Sequence, residues 1–224
     1  MRFVLLTILA FLQFTFLNAF SALAEGQISH GQADKSMVKI LALGDSLTAG
    51  YGLGAGDGLT DVLQAKLHAN GHAVTIINAG VSGDTTKGGL ARLDWALADG
   101  PDLAIVALGG NDMLRGLEPQ DSYQNLSEIL TILQQAEIPT LLAGMMAPAN
   151  MGRDYQQEFD QLYPRLADEF DVVFYPFFLE GVALVPNYNQ DDGLHPNEAG
   201  VNVITDNILP KVEELLQRHD APNS

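Results

Sequence analysis

Four short stretches gather hydroxyl, carboxylate, amide and imidazole side chains among glycines. They are Gly44-Asp45-Ser46-Leu47-Thr48-Ala49-Gly50, Ala79-Gly80-Val81-Ser82-Gly83-Asp84-Thr85-Thr86, Gly109-Gly110-Asn111-Asp112 and Asp191-Asp192-Gly193-Leu194-His195-Pro196. A serine hydroxyl becomes a competent nucleophile only when a base takes its proton. Of the five histidines, His30 lies near the N-terminus, His68 and His72 flank a helix end and the following turn, and His219 is close to the C-terminus. Only His195 stands in an Asp/Gly/Pro turn just before a helical pattern. It is the candidate general base and, later, general acid to the leaving group, a role worth roughly 10²- to 10⁴-fold in rate. A histidine standing alone would read as a surface or capping residue. An aspartate three positions earlier, with Gly193 between, can turn back onto the imidazole, fix its tautomer and stabilise the imidazolium. Asp192 stands at that spacing and Asp191 one position further back, and either could instead cap the next helix. The serine at position 46 is not in a G-x-S-x-G elbow, which argues against the α/β-hydrolase arrangement.

Such residues must be carried on elements that converge. Near-continuous apolar runs mark strands buried on both faces: residues 38–43, 73–78, 103–108, 140–144 and 172–175. Between them run apolar stripes at helical spacing: Leu59/Val62/Leu63/Leu67, Leu90/Leu93/Leu97, Leu126/Ile129/Ile132/Leu133, Phe159/Leu162/Leu166/Phe170 and Val201/Ile204/Ile208/Val212/Leu215. All read as core-facing. Strand–helix alternation predicts an α/β fold of three α/β/α layers around a parallel sheet of about five strands. Ligands of such sheets bind beyond the carboxyl ends of the strands. The first three polar loops directly follow the first three strands.

Composition narrows the possibilities. Eleven Lys+Arg against 28 Asp+Glu give a net charge of -17 and a pI near 4.3. Nucleic-acid binding needs clustered cations and is not expected. A charge this negative also disfavours anionic lipid surfaces and large anionic substrates. The absence of cysteine removes disulfides, thiolate metal sites and a cysteine nucleophile. Residues 1–24 place Arg2 before a long apolar run that ends Ala22-Leu23-Ala24, the pattern of a secretory signal peptide cleaved after Ala24. The expected organisation is signal peptide 1–24, polar leader 25–36, a single catalytic domain 37–217 and a C-terminal tail 218–224. A periplasmic or secreted bacterial enzyme fits, with no stable membrane insertion after cleavage.

Taken in order, G-D-S-L, V-S-G-D-T-T, G-G-N-D and D-G-L-H-P resemble the four blocks of the GDSL/SGNH hydrolases, over essentially the whole stretch from Val38 to Leu216. Within that family the chain is most similar to secreted arylesterases of the thioesterase I/lysophospholipase type, through N-A-G-V-S-G-D-T-T, L-G-G-N-D-M-L-R-G and P-A-N-M-G-R-D-Y. The Gly-rich loop 52–58 departs from the pattern, lacking a Trp found there in some relatives, which leaves the nearby substrate-facing contour open. The resemblance implies a flavodoxin-like SGNH-hydrolase fold and carboxylic ester hydrolysis. It implies Ser46 as nucleophile, and Asp192 rather than Asp191 as partner of His195, because the matching block is Asp-x-x-His. It implies an oxyanion hole made by the backbone N–H groups of Ser46 and Gly83 and the side-chain amide of Asn111.

Asp45, Asp84 and Asp112 recur beside these positions. With one histidine nearby, they are expected to brace loops through backbone N–H groups, and neither a metal nor another cofactor is expected. Candidate substrate walls are residues 113–117, 145–154 and 177–188, with Met113, Met146, Met151 and Leu184 as contact residues; Met145 and Met146 could equally finish a core strand. The expected ligand is a small ester or lipid: an aryl ester, a short- to medium-chain acyl ester, a thioester or a lysophospholipid. The oligomeric state is left open. Two rival readings are a carbohydrate O-acetyl esterase with the same machinery and an FMN-binding flavodoxin-like carrier, since Ser46-Leu47-Thr48-Ala49-Gly50 also resembles a phosphate-cradling turn. The carrier reading leaves the export signal, G-G-N-D and D-G-L-H-P unexplained.

Overall fold

The computed structural model describes residues 37–221. The signal peptide and polar leader expected from the sequence lie outside the described residues, as do the last three residues of the expected tail. The five apolar runs form five strands: β1 (Val38–Gly44), β2 (Val74–Gly80), β3 (Leu103–Ala107), β4 (Thr140–Ala143) and β5 (Val173–Tyr175). All pair in parallel, in the order β2-β1-β3-β4-β5. β3 and β4 are buried along their whole length, which is why their sequences show no alternation.

Parallel neighbours require crossovers, and helices supply them. They are α1 (Ser46–Ala49), α2 (Leu59–Ala69), α3 (Thr86–Ala91), α4 (Leu93–Ala96), α5 (Gly110–Leu114), α6 (Pro119–Gln135), α7 (Arg153–Phe170) and α8 (Glu198–Asp220). α2 packs on α8, while α6 packs on α3 and α7, giving one helical layer on each face of the sheet. The chain leaves β1 toward β2, then crosses back past β1 to β3. The crevice between β1 and β3 is therefore the point where strand order reverses, the place where such sheets bind ligands. The register aligns Gly44 with Gly80 on one side and Ala107 on the other, so the three strands end flush beside it.

Two boundaries differ from the sequence expectation. The stripe Leu90/Leu93/Leu97 spans two short helices and a 3-10 turn rather than one helix. Gly88 and Gly89 weaken the helix, and Arg92 leaves helical geometry at φ -112°, ψ 6°. At the other end, α8 continues through Asp220, three residues into the expected tail.

Candidate active site

Gly44 ends β1, and the chain turns at once into α1. A side chain at Gly44 would overlap Thr48, and one at Gly80 would strike the backbone of Ala49. These two glycines let the first turn of α1 sit against the ends of β1 and β2. Asp45 caps α1, its Oδ1 accepting the Leu47 N–H at 3.0 Å. Ser46 is thus the first residue of a helix whose leading N–H groups have no intrahelical acceptor.

His195 comes from the far end of the sequence. Its Nε2 lies 2.9 Å from Ser46 Oγ and its Nδ1 2.6 Å from Asp192 Oδ2. The other carboxylate oxygen of Asp192 accepts the backbone N–H groups of Leu194 (2.9 Å) and His195 (3.0 Å). Gly193, at φ +69°, makes this turn tight enough for one carboxylate to hold both backbone and imidazole. The His195 N–H and imidazole, with the Leu194 N–H, hold the Asp192 carboxyl down at about 2. Asp191 enters none of these bonds.

Two further residues, which carry no sequence signal of their own, stand around His195: Gln190 braces its backbone and Tyr51 lies against its ring. Gln190 donates from Nε2 to the carbonyls of Tyr51 and Pro196, while its backbone N–H binds the His195 carbonyl at 2.7 Å. The Tyr51 ring lies 4.6 Å from the His195 ring, tilted by 40°. The remaining described histidines are engaged elsewhere: His68 with the Val74 carbonyl, His72 with Glu213 and His219 with Asp220. His30 lies outside the described residues.

The loops after β1, β2 and β3 are tied to one another pairwise. The Val81 N–H donates to the Gly44 carbonyl (3.1 Å). Arg115 donates to the Gly83 carbonyl (2.6 Å). Asn111 Nδ2 donates to Asp45 Oδ2 (3.2 Å). The three aspartates do brace these loops, but only partly through backbone. Asp112 accepts from the Thr86 N–H, the Thr86 hydroxyl and the Ser122 hydroxyl. Asp84 instead pairs with Arg92 at 2.6 Å, and Arg92 also donates to the Gly44 carbonyl. Among the described residues, the N–H groups of Ser46 and Gly83 have no protein acceptor. Gly83 has φ +82°, which glycine alone adopts freely. No group of three His, Asp or Glu among the described residues could hold a metal ion.

Exposed apolar side chains stand on the segments that follow the strands. Tyr51 follows β1, Val81 follows β2, Leu114 and Leu117 follow β3, Met146 follows β4, and Leu184 and Leu194 follow β5; all are exposed. Met145 and Met146 divide: Met145 is core, whereas Met146 is 48% exposed. Met113 is half-buried against the core, and Met151 ends the 3-10 turn Ala149–Met151. Leu184 is 84% exposed, with a left-handed backbone at φ +62°. A separate groove lined by Leu130, Pro139, Phe170 and Arg218 opens at the amino ends of β4 and β5, across the sheet from this chemistry.

Residues 42–203 match the GDSL-like Lipase/Acylhydrolase family. The chain belongs to that family. It is 42% identical over 183 residues to thioesterase 1/protease 1/lysophospholipase L1 of Escherichia coli strain K12, covering 81% of this chain and 86% of that one. It is 40% identical over 165 residues to an arylesterase of Vibrio mimicus, covering 73% of this chain and 82% of that one. The crystal structure of AlinE4, an SGNH-hydrolase family esterase, is 50% identical and superposes with a TM-score of 0.68, over 80% of this chain and 97% of that one. The fold is that of the SGNH hydrolases, and the chain is a GDSL-type ester hydrolase. The flavodoxin-like strand order is therefore a shared architecture, and the flavin-carrier reading falls away.

Proposed function

We propose that Ser46, His195 and Asp192 hydrolyse carboxylic esters through an acyl-enzyme. The observation that carries this reading is the continuous hydrogen-bonded line from Ser46 Oγ through both imidazole nitrogens to Asp192. Ser46 Oγ attacks the carbonyl carbon while His195 Nε2 takes its proton. The carbonyl oxygen becomes an oxyanion, met by the N–H groups of Ser46 and Gly83 and by Asn111 Nδ2. Donors already aimed at this oxygen need no rearrangement as charge develops. As the bond to the leaving group breaks, Nε2 returns the proton to it. Water then attacks the acyl-Ser46 carbonyl, again deprotonated by His195. Collapse releases the acid and restores the Ser46 hydroxyl.

The substrates proposed are aryl esters, short- to medium-chain acyl esters, thioesters and lysophospholipids. The activities named for the relatives support these classes, and so do the exposed apolar side chains on the segments after the strands, which suit acyl chains better than sugars. Met146, Met151 and Leu184 are the proposed acyl contacts, with Met113 behind them. The apolar N-terminal segment ending Ala-Leu-Ala supports export to the periplasm or beyond. The test is a panel of p-nitrophenyl esters and acyl thioesters with wild type and Ser46→Ala, together with a fluorophosphonate probe. Ser46→Ala should remain folded and lose turnover across the panel, and the probe should label Ser46. Retained activity, or an adduct on another residue, removes Ser46 from this role.

A further inference from the structure

An asparagine amide has two ends of nearly the same shape and opposite hydrogen-bonding character. Nδ2 donates two hydrogens, and Oδ1 only accepts. An oxyanion is stabilised by one orientation of Asn111 and repelled by the other. Whatever fixes the flip of this amide therefore controls a donor of the site.

Asp45 faces that amide. It is 2% exposed, in the turn between β1 and α1. Its Oδ1 is engaged by the Leu47 N–H, and its Oδ2 lies 3.2 Å from Asn111 Nδ2. Helix capping does not explain a charge at this position, since asparagine caps as well as aspartate. Burial works against the charge, pushing the Asp45 carboxyl up to about 6 against the lowering pull of its hydrogen bonds and of His195. The other titratable or charged groups around it are already occupied. Tyr163 of α7 donates to the Leu108 carbonyl, Asp112 of α5 accepts from Thr86 and Ser122, and Arg92 binds Asp84 and the Gly44 carbonyl.

An ionised carboxylate has no proton to donate. The amide atom turned toward it must be nitrogen, and the second Nδ2 hydrogen remains for the reacting oxygen. A protonated or amide side chain at position 45 could donate to Oδ1 instead, admitting the flipped amide that offers the oxyanion a lone pair. We propose that Asp45 is a positioning residue for ester hydrolysis, its acceptor-only carboxylate locking Asn111 with Nδ2–H presented to the oxyanion. This inference rests on the reading of Asn111 as an oxyanion donor.

The test is a double-mutant cycle in p-nitrophenyl acetate turnover with Asp45→Asn, Asn111→Ala and the pair. Asn111→Ala should lower kcat roughly 10²- to 10³-fold. Asp45→Asn should lower kcat about tenfold or more with KM within about twofold, and should add less than about twofold in the Asn111→Ala background, where its target is gone. Wild-type kcat in Asp45→Asn, or a loss that persists in full in the double variant, overturns the proposal. Wild-type kcat in Asn111→Ala would instead sink the oxyanion assignment, and the inference with it. A measurement on the wild-type protein stands if Asp45→Asn does not fold. The Asn111 side-chain amide resonances should shift with pH at the same midpoint as the Asp45 carboxyl carbon. Amide resonances that stay still across that midpoint overturn the proposal.

Discussion

Asp192 holds His195 by both its backbone and its ring: one carboxylate oxygen accepts the His195 N–H at 3.0 Å and the other meets Nδ1 at 2.6 Å. The sequence offered helix capping as the alternative role for this aspartate; that role falls instead to Asn197, whose Oδ1 accepts the Gly200 N–H at the start of α8. Asp192→Asn keeps the shape and can present an N–H where the imidazole needs an acceptor, favouring the wrong tautomer. Its kcat should fall by up to about 10⁴-fold with little change in KM, measured by p-nitrophenyl acetate turnover.

The same contact has a pH signature in stability. The folded-state pKa of Asp192 is about 2, below its ordinary 3.8. Its stabilising contribution is therefore complete above about 4 and is lost as pH falls toward 2. Thermal unfolding of wild type and Asp192→Asn between pH 2 and 6 should show the wild-type advantage shrinking through that window. Parallel curves would contradict the linkage.

Asp45 has the opposite sign. Its folded-state pKa is raised to about 6 from 3.8 because burial penalises the charge. Between about pH 4 and 6 the folded state binds this proton more tightly than the unfolded state, so stability falls as pH rises and the loss is complete above 6. Asp45→Asn removes that penalty. The variant should be more stable than wild type above pH 6, by at most about 3 kcal/mol, with the gap closing below pH 4. Denaturant unfolding at pH 4 and pH 7.5 checks this. A variant that gains stability while losing turnover is the pattern expected when a site keeps a strained or costly group for its chemistry.

Leu184 combines exposure with a left-handed backbone at φ +62°. Leu184→Gly should relieve that backbone by about 1 kcal/mol, raising Tm by a few degrees. It should also lower kcat/KM for octanoyl relative to acetyl esters, because an apolar contact with the longer chain is gone. Unchanged acyl preference would remove Leu184 from the substrate wall.

The sequence displays the strands plainly because β3 and β4 are apolar throughout, and its polar Gly-rich loops single out His195 with an aspartate just before it; the roles of Ser46, Gly83 and Asn111, and the choice of Asp192 over Asp191, come from the resemblance to the family. What it did not show are residues whose importance is purely tertiary. Gln190 acts through the Tyr51 and Pro196 carbonyls, and Arg92 reaches across to Gly44. Neither contact leaves a local pattern. Arg115 fell within a stretch read as substrate wall, yet its guanidinium clips the Gly83 carbonyl. The break at Arg92 was equally hidden, since the leucine stripe continues through it.

The pairwise ties among the loops after β1, β2 and β3 have a consequence for how such an enzyme changes its diet. Moving any one of the three displaces the other two, so drift there disturbs the reacting geometry at once. The segment after β4 is hydrogen-bonded to β5 and α7 instead, through Gly144, Ala147 and Gln156. It contributes none of the five residues proposed to act on the ester, so Met146 and its neighbours can be exchanged for other side chains while the proposed bond-breaking apparatus stays in place.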